Sequence, residues 1–561
     1  MPDEKAFHIT INDIKPAAIA RDLVIFVLLS DFASALVKKN VSAKGKIMAC
    51  LYYTYLAPIM PARVYDALQE RIQRLIDMLE ERIPLLSFLD VPQPYRSEVI
   101  RLLEEWQGEA AEKYPAARLR SIVVVQRRED EARLMMLRQT ELPSPGCAAE
   151  AQLYRQCGIL LMPAPYHKLY EKEMRAATEE LDVAKATRVA VEMGNIADAH
   201  WRPNVTQIDL KWLRVLEADR GTIDIAHDPF EFAERILMTG LPPPKNLAGL
   251  FSYTSAWFSS VGASIELLRG KIMIEACVGD VTAVLEQVRY GIVGHRQAVF
   301  DGSSEGRAPA ENTYPTSYDR IHLSNIPDYV GGSLTTFLYA LPVTQPGTSS
   351  YATSTNLRNP PRFKTHASYH NEYIALHEPA DLAKTFQVRM GPRSDPGEGM
   401  PTATYNKWHH EVIPTGLTDL LPREKLETWL FRLLLKISTP ARKDDVLAWQ
   451  LVYAPLNLTV FFRICKYLHT AGYPAHWLSS ILDEILSGKI TTIARPPRSE
   501  PLALKESRSR LPPLRQSLTP FVAEFTTLVS IWESALPFSI MTTHVAPLHV
   551  IHKYSVAFRC V

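Results

Sequence analysis

Three polar residues, Ser324, Asn325 and Asp328, stand where a predicted buried strand stops. They belong to the run Tyr318-Asp-Arg-Ile-His-Leu-Ser-Asn-Ile-Pro-Asp-Tyr-Val-Gly-Gly332, which precedes a predicted helix over 333–341. In an open α/β sheet, ligands bind just beyond the carboxyl ends of the strands, where such turns lie. The turn is therefore a candidate site, and Asn325 and Asp328 are the candidates to face a transferred group.

Two other predicted strands end in similar residues. A strand over 7–11 is followed by Asn12 and Asp13, and a strand over 271–278 is followed by Gly279 and Asp280. A nucleotide-like ligand lying across such a sheet needs a carboxylate for its ribose hydroxyls, a polar group near its base and small residues where the backbone approaches it. Asp13 fits the first role and Asp280 the second. The alternative is that these residues only end strands and cap helices, as Asn and Asp commonly do.

Charge and cysteine content exclude several classes of protein. Lys plus Arg (62) nearly equals Asp plus Glu (61), so the chain has no global field to attract nucleic acid or an anionic membrane. The apolar run at 23–29 is far shorter than the roughly 20 residues that span a bilayer. The six cysteines are unclustered and fit no common zinc spacing. We therefore expect free thiols and a cytoplasmic protein that binds neither nucleic acid nor membrane.

Histidine groups and catalytic motifs add no further site. His366 and His370 stand four residues apart, but we expect a strand over 371–376, and this spacing brings histidines together only on a helix. We therefore expect no metal there, nor at His409-His410-Glu411. The aromatic run 251–258 is more simply core packing than a stacking platform. The chain also lacks the serine-hydrolase elbow, the phosphate-binding loop and the Gly-x-Gly-x-x-Gly turn.

Periodicity divides the chain into α/β and helical parts. From 61 to 218 apolar residues recur with a period near 3.6, which predicts a helical insertion, and a second helical block follows the α/β elements. The predicted parts are the start of a Rossmann-like domain at 1–60, the helical insertion at 61–218, the rest of that domain at 219–390, a helical block at 391–493, a linker or disordered loop at 494–513, and a terminal helix with strands at 514–561.

Several long runs resemble one family of proteins. These runs are Phe7-His-Ile-Thr-Ile-Asn-Asp-Ile-Lys-Pro-Ala-Ala-Ile-Ala-Arg-Asp22, Asp228-Pro-Phe-Glu-Phe-Ala-Glu-Arg-Ile236, Asn246-Leu-Ala-Gly-Leu-Phe-Ser-Tyr-Thr-Ser-Ala-Trp-Phe258, Val278-Gly-Asp280 and Tyr318-Asp-Arg-Ile-His-Leu-Ser-Asn-Ile-Pro-Asp-Tyr329. They resemble uncharacterised proteins of mushroom-forming (basidiomycete) fungi, which share a domain of unknown function with the axonemal dynein assembly factor three. Some members carry a MYND-type zinc finger, whose cysteine cluster this chain lacks. The resemblance covers most of the chain and is strongest at 1–35 and 228–390.

The family is similar in turn to class I S-adenosylmethionine-dependent methyltransferases, whose sheet is Rossmann-like. On that analogy Asp13 follows the second strand, Gly279 and Asp280 follow the third, and 318–328 is the fourth strand with its catalytic turn. Asp13, Gly279, Asp280, Ser324 and Asn325 would then contact the cofactor. The first strand and its Gly-rich turn, which would hold the methionine end of S-adenosylmethionine, should precede residue 7. Their absence suggests either a truncated gene product or a paralogue that has lost cofactor binding.

The resemblance therefore implies a methyltransferase-like protein that acts through protein partners, in assembly or as a scaffold, without catalysis. Because most mushroom-forming fungi lack motile cilia, a role in dynein assembly is not carried over. The alternative is an active transferase that uses S-adenosylmethionine, with Asp13, Asp280 and Asn325 at its site.

Overall fold

The chain is a mixed α/β protein, mostly helical, with a small parallel sheet. The computed structural model describes residues 6–136, 147–170, 172–179, 186–220, 228–238, 249–293, 314–345, 347, 349–356, 365–391, 404–410, 416–438, 458–493, 515–540, 545 and 547–552. The chain divides into two compact units. The first comprises Met1–Val284 and Val293–Arg296, and the second comprises Leu285–Ile292 and Gln297–Val561.

The first unit contains a parallel sheet of three strands: β1 (Phe7–Asp13), β3 (Leu89–Asp90) and β5 (Ile272–Val278). Their order is β1-β5-β3. β1 and β5 pair over their full length, from Phe7 beside Ile272 to Asp13 beside Val278. The strands predicted at 7–11 and 271–278 are thereby confirmed. Two short strands, β2 (Ile59–Pro61) and β4 (Trp201–Pro203), form a separate antiparallel pair.

Helices make up most of the described part of the first unit. They are α1 (Pro16–Val37), α2 (Val41–Leu56), α3 (Ala62–Leu79), α4 (Gln93–Gln107), α5 (Glu109–Lys113), α6 (Ala116–Met136), α7 (Ala148–Cys157), α8 (Lys172–Glu179), α9 (Ala186–His200), α10 (Leu210–Arg220), α11 (Pro229–Met238) and α12 (Leu250–Leu267). Proline is tolerated in the first turn of α1 because no intrahelical acceptor is available to an amide there. Helices account for most of the described residues of 61–218, in which β3 and β4 also lie, and the aromatic run 251–258 lies within α12.

Side chains from distant parts of the first unit complete the carboxyl end of α2. The last four carbonyls of a helix have no partner within it. Asn204, which is fully buried, donates from Nδ2 to the carbonyls of Tyr53 (3.2 Å), Thr54 (2.9 Å) and Ala57 (2.7 Å). Arg21 donates to the carbonyls of Thr54 (3.3 Å) and Tyr55 (2.6 Å). Residues far away in sequence thus supply the hydrogen-bond donors for the carbonyls at the end of α2.

The second unit contains a mixed sheet of four strands. These are β6 (Arg320–His322), β7 (Tyr351–Asn356), β8 (Val388–Met390) and β9 (Thr404–His410). Their order is β6-β7-β9-β8, in which β6 and β7 are parallel and β9 is antiparallel to both of its neighbours. A further antiparallel pair joins β10 (Thr491–Ile493) and β11 (Arg515–Ser517).

The helices of the second unit are α14 (Ile326–Tyr329), α15 (Ser333–Thr335), α16 (His366–Ile374), α17 (Pro379–Phe386), α18 (Arg423–Ser438), α19 (Thr459–Thr470), α20 (Ala475–Leu486) and α21 (Val522–Trp532). Helix α13 (Val281–Arg289) begins in the first unit and belongs to the second from Leu285 onward. The helix predicted at 333–341 is present as a continuous helical segment, of α, π and 3-10 character in turn, that ends at Val343.

The strand predicted over 371–376 is wrong, because 366–374 form α16. Tyr369, His370 and Ile374 are buried, and this spacing follows a helical face and does not alternate as in a strand. At the helix end, the Ile374 carbonyl accepts a hydrogen bond from the indole nitrogen of Trp429 (2.7 Å). Of the strand-like material predicted at 549–558, residues 549 and 550 lie in a 3-10 turn and 553–558 lie outside the described residues. The predicted linker at 494–513 also lies outside them.

Candidate functional site

The carboxyl ends of β1 and β5 bring the first group of predicted site residues together. The Gly279 amide donates to the Asp13 carbonyl (2.9 Å). The Asn12 side chain bridges the two strands, since Nδ2 donates to the carbonyls of Cys277 (3.2 Å) and Gly279 (3.1 Å). Asn12, Asp13, Gly279 and Asp280 thus lie at one edge of a parallel sheet, where ligands of open α/β sheets bind.

Both carboxylates at this edge cap the backbone that follows them. Asp13 Oδ1 accepts from the amide of Lys15 (2.8 Å). Asp280 Oδ1 accepts from the amides of Thr282 (2.9 Å) and Ala283 (3.3 Å) and from the Thr282 hydroxyl, at the start of α13. These are the contacts of residues that end strands and begin helices. Each cap uses one carboxylate oxygen, and the exposed Asp280 carboxylate remains in contact with solvent.

Sequence reasoning missed a buried carboxylate in the middle of this sheet. Glu275, on β5, is 1% exposed. Its Oε2 lies 3.2 Å from His8 Nε2 and accepts from the hydroxyl of Thr10 (3.1 Å), and both residues are on β1. A buried charge needs such partners. The signal for Glu275 was the single charge within the apolar run Ile-Met-Ile-Glu-Ala-Cys-Val. The contact fixes the pairing of β1 with β5.

The turn after β6 belongs to the sheet of the second unit, where it is anchored to β7. The Leu323 amide donates to the Thr353 carbonyl (2.8 Å), and the Thr355 amide donates to the Ser324 carbonyl (2.7 Å). Ser324 adopts a φ of 48°, in the left-handed region that non-glycine residues rarely occupy. Its side chain is exposed, whereas that of Asn325 is half-buried. The turn therefore presents Ser324 to solvent from a constrained backbone.

Asp328 faces inward, into a buried polar cluster. It is 1% exposed, and Oδ1 accepts from Asn356 Nδ2 (3.3 Å). The same Nδ2 donates to the Tyr369 hydroxyl (2.5 Å), and Asn356 Oδ1 accepts from Asn406 Nδ2 (2.9 Å). Burial, and then the charge of Asp328, raise the pKa of Tyr369 well above its usual range. The structure therefore gives Asp328 the contacts of a residue that ties the turn to β7, β9 and α16.

A serine–histidine contact beside this cluster was not predicted. Ser333 Oγ lies 3.3 Å from His370 Nδ1, and the two residues are 4% and 3% exposed. Such a pair is the core of many nucleophilic sites, but those sites also need access for a substrate. Both groups are buried here, so the contact is most simply one that joins α15 to α16. The sequence carries no local signal for this contact, because its two residues lie 37 positions apart.

His366 and His370 both lie on α16, so the strand expected after His370 does not separate them. In the part of the chain that the structure describes, no three His, Cys, Asp or Glu side chains converge as metal ligands would. The other histidine pair serves the backbone: His409 Nδ1 lies 3.1 Å from the Ser350 carbonyl and His410 Nε2 lies 2.7 Å from the Leu341 carbonyl.

Together, fold and site define a mostly helical α/β protein whose parallel strands end in backbone-capping acidic residues. Neither a protein-family model, nor a curated protein, nor a solved structure matches the chain. None of its described helices combines the length and the apolar character that crossing a membrane requires.

Proposed function

We propose that this chain is a methyltransferase-like protein that works through a protein partner and does not itself transfer a methyl group. The proposal keeps the Rossmann-like relationship that the sequence resemblance implies. On this proposal the carboxylates of Asp13 and Asp280 cap the backbone that follows them and bind no ligand. The alternative is an active transferase in which those carboxylates bind the ribose and base of S-adenosylmethionine.

Strand order supports the methyltransferase-like relationship in each unit by itself. In the first, β1 and β5 are adjacent and parallel, as expected for the second and third strands of such a sheet. In the second, β6 and β7 are parallel and the antiparallel β9 lies between β7 and β8. This likeness concerns the fold and carries no statement about activity.

The observation that carries the partner-binding proposal is the outer edge of β1. Among the described strands, β1 lies at the edge of its sheet. Phe7 and Ile9 point to the same face of the strand and are 52% and 45% exposed, and the nearby Ile14 is 66% exposed. Natural proteins usually protect an edge strand with lysine, proline, a bulge or a covering element. Phe7–Asp13 contains no lysine or proline, and an edge strand with exposed apolar side chains is a template for strand addition.

The occupant that fits this edge is an extended segment of a protein partner. Its backbone would pair with β1, and apolar side chains at alternate positions would contact Phe7 and Ile9. β1 has seven residues, enough to dock a strand of ordinary length.

A reducing compartment is consistent with this proposal. The five described cysteines, Cys50, Cys147, Cys157, Cys277 and Cys465, are free and buried. Burial raises the pKa of the Cys50 thiol to about 11, so that thiol stays protonated and unreactive. Buried free thiols are usual in proteins of the cytoplasm, and we propose that location for the chain.

Titration of S-adenosylmethionine into the whole chain separates the two functions. We expect no binding heat at millimolar ligand. The control is the double variant Asp13→Asn, Asp280→Asn, which keeps an oxygen for each backbone cap and removes both carboxylates. Binding by the unmodified chain that the double variant loses would overturn the non-catalytic proposal and support the transferase.

Site-specific photo-crosslinking tests the β1 edge. A photoreactive phenylalanine derivative at Phe7 should form crosslinks to a distinct protein partner in the cells that produce the chain. The matched control carries the same group at Leu267, which is 82% exposed at the end of α12. The substitution Ile9→Lys should abolish the Phe7 crosslinks, because an edge lysine opposes strand addition.

Equal crosslinking from both positions, or crosslinks that survive Ile9→Lys, would contradict the assignment of this edge. If in-frame genomic sequence upstream of Met1 encodes a strand and a Gly-rich turn, the edge belongs to the chain's own upstream strand and the partner proposal fails.

A further inference from the structure

Helix α19 of the second unit carries one polar face in an otherwise apolar helix. Arg463, Lys466, Tyr467 and Thr470 follow one another at spacings of three, one and three residues, which places them on one side of the helix. The opposite side is core. Its buried residues are Phe461, Ile464, Cys465 and Leu468. A polar face is usual on an amphipathic surface helix, so what distinguishes this one is the positive charge gathered beside it.

That polar face lines a small cleft. Besides the four residues of α19, the cleft is lined by Arg289, the last residue of α13, and by Leu338. All six residues belong to the second unit. Three of the six carry a positive charge. The nearby carboxylate is that of Glu286, one turn before Arg289 on α13, so positive charge exceeds negative charge by two.

Arg463 is held rigidly at the inner wall of the cleft. It is 7% exposed, and both of its terminal nitrogens donate to the Glu286 carboxylate. One also donates to the Leu338 carbonyl (3.3 Å), and the guanidinium lies 4.5 Å from the centre of the Tyr339 ring. Its Nε, although buried, has no hydrogen-bond partner in the part of the chain that the structure describes. Because this nitrogen has almost no accessible surface, a ligand in the cleft cannot reach it, and Arg463 contributes its charge to the cleft but no free donor.

The other two cations both lie beside Tyr290, since the Arg289 guanidinium is 5.8 Å and Lys466 Nζ is 5.9 Å from the centre of its ring. In the described residues neither Arg289 nor Lys466 pairs with a carboxylate, and the hydrogen bond from Lys466 Nζ to the Tyr290 hydroxyl is long, at 3.5 Å. The charge of Arg289 acts on the Tyr467 phenol, whose hydroxyl donates to the Phe386 carbonyl (2.5 Å). Arginine and lysine without carboxylate partners around a cleft form a usual anion site.

We propose that this cleft binds the phosphate group of a small molecule. A phosphate dianion matches the excess of two positive charges, and its oxygens can accept from arginine and lysine donors at once. The Thr470 hydroxyl at the rim donates to the Lys466 carbonyl (3.1 Å), so the donors for phosphate are the cations. This site lies in the second unit and does not depend on the partner surface at β1.

The test measures binding of inorganic phosphate to the full chain by isothermal titration, at constant ionic strength with chloride as the reference anion. The double variant Arg289→Gln, Lys466→Gln should bind phosphate about tenfold more weakly or worse, because two charge-assisted hydrogen bonds are lost. The control is Lys425→Gln, Lys489→Gln, which removes the same charge from exposed positions of the same unit and should bind as the unmodified chain does.

Hydrogen exchange in the unmodified chain gives a second readout that needs no variant. Phosphate, but not chloride, should slow exchange of the amides of 459–470. Tighter binding of phenyl phosphate than of inorganic phosphate would identify a phosphate ester as the ligand, and weaker binding would identify free phosphate. The proposal fails if phosphate gives neither heat nor protection, or if the control loses as much affinity as the Arg289, Lys466 variant.

Discussion

Replacing Asn204 with alanine is expected to lower the free energy of unfolding of the first unit by about 3 kcal/mol. Asn204 is fully buried, and its Nδ2 supplies donors to three carbonyls at the end of α2. Its Oδ1 accepts from the amide (3.2 Å) and the hydroxyl (2.7 Å) of Thr206. Alanine would leave several of these buried groups without a partner, and each such group costs about 1–3 kcal/mol.

The measurement is hydrogen exchange with increasing urea, followed in peptides that cover 41–57. A local readout is needed because a chain with two units need not unfold in one step. The matched control is Asn40→Ala at the other end of the same helix, where Asn40 Oδ1 accepts from the exposed Ala43 amide (3.0 Å). Loss of an exposed amino-terminal cap costs only about 1 kcal/mol. Equal losses in the two variants would show that the buried contacts of Asn204 contribute nothing beyond an ordinary cap.

Asn204 also illustrates which part of the fold the sequence could predict. Predictable elements have local signals: the alternation at 7–11, the helical period from 61 onward, and the Asp228-Pro229 start of α11, where the Asp228 carboxylate accepts from the Phe230 amide (2.9 Å). Nothing local marks Asn204 as the cap of a helix that ended almost 150 residues earlier. β3 has no local signal either, since Leu89–Asp90 is too short to show an alternation of apolar and polar residues.

The strand predicted at 371–376 is wrong for a similar reason, because contacts with distant residues decide the structure there. Tyr and Ile favour strands by themselves, but the environment decides short segments. Here the Tyr369 hydroxyl joins the Asp328–Asn356 cluster and Trp429 donates to the Ile374 carbonyl, so distant residues hold both parts of α16. The sequence could not supply these partners.

The candidate site was predictable only where its residues have local signals. Asp13 and Asp280 each follow a recognisable strand, and the parallel pairing of β1 with β5 brings those strand ends together. Burial was not predictable. Asp328 reads as an exposed turn residue until Asn356 and Tyr369 are placed around it. Glu275 reads as an isolated charge until His8 and Thr10 of β1 are paired with it. Polar residues at turns can therefore be nominated from sequence, but their accessibility depends on long-range contacts.

Glu150 is expected to make the first unit less stable as pH rises from about 4.5 to about 7. It lies in the first turn of α7, and Oε2 accepts from the amide of Leu250, the first residue of α12 (2.8 Å). Burial raises the pKa of this carboxyl from 4.5 to about 7, and the Leu250 amide offsets only part of the shift. The titratable groups that face it are the phenols of Tyr52, Tyr53 and Tyr170 and the thiol of Cys147, which are neutral in this range and provide no compensating positive charge.

The sign follows from the raised pKa. In the unfolded chain the carboxyl ionises near pH 4.5, whereas in the folded chain it holds its proton to about pH 7. The folded state therefore binds the proton more tightly, and its stability falls as the pH rises between these values. Since one unit of pKa difference is worth about 1.4 kcal/mol, the loss between pH 5 and pH 8 is roughly 2 to 3 kcal/mol.

Glu150→Gln should remove that loss, because the amide oxygen can still accept from Leu250 and no longer ionises. The variant should match the unmodified chain near pH 5 and exceed its stability by roughly 2 to 3 kcal/mol at pH 8. The measurement is hydrogen exchange of the amides of 249–258 across this range, since the Leu250 contact lies there. Glu104→Gln, which changes an exposed glutamate on α4, is the control and should leave the pH profile unchanged. A Glu150→Gln profile parallel to that of the unmodified chain would mean that the carboxylate stays ionised in the fold. Its burial beside three phenols would then have to be offset by solvent or by motion of α7 away from α12.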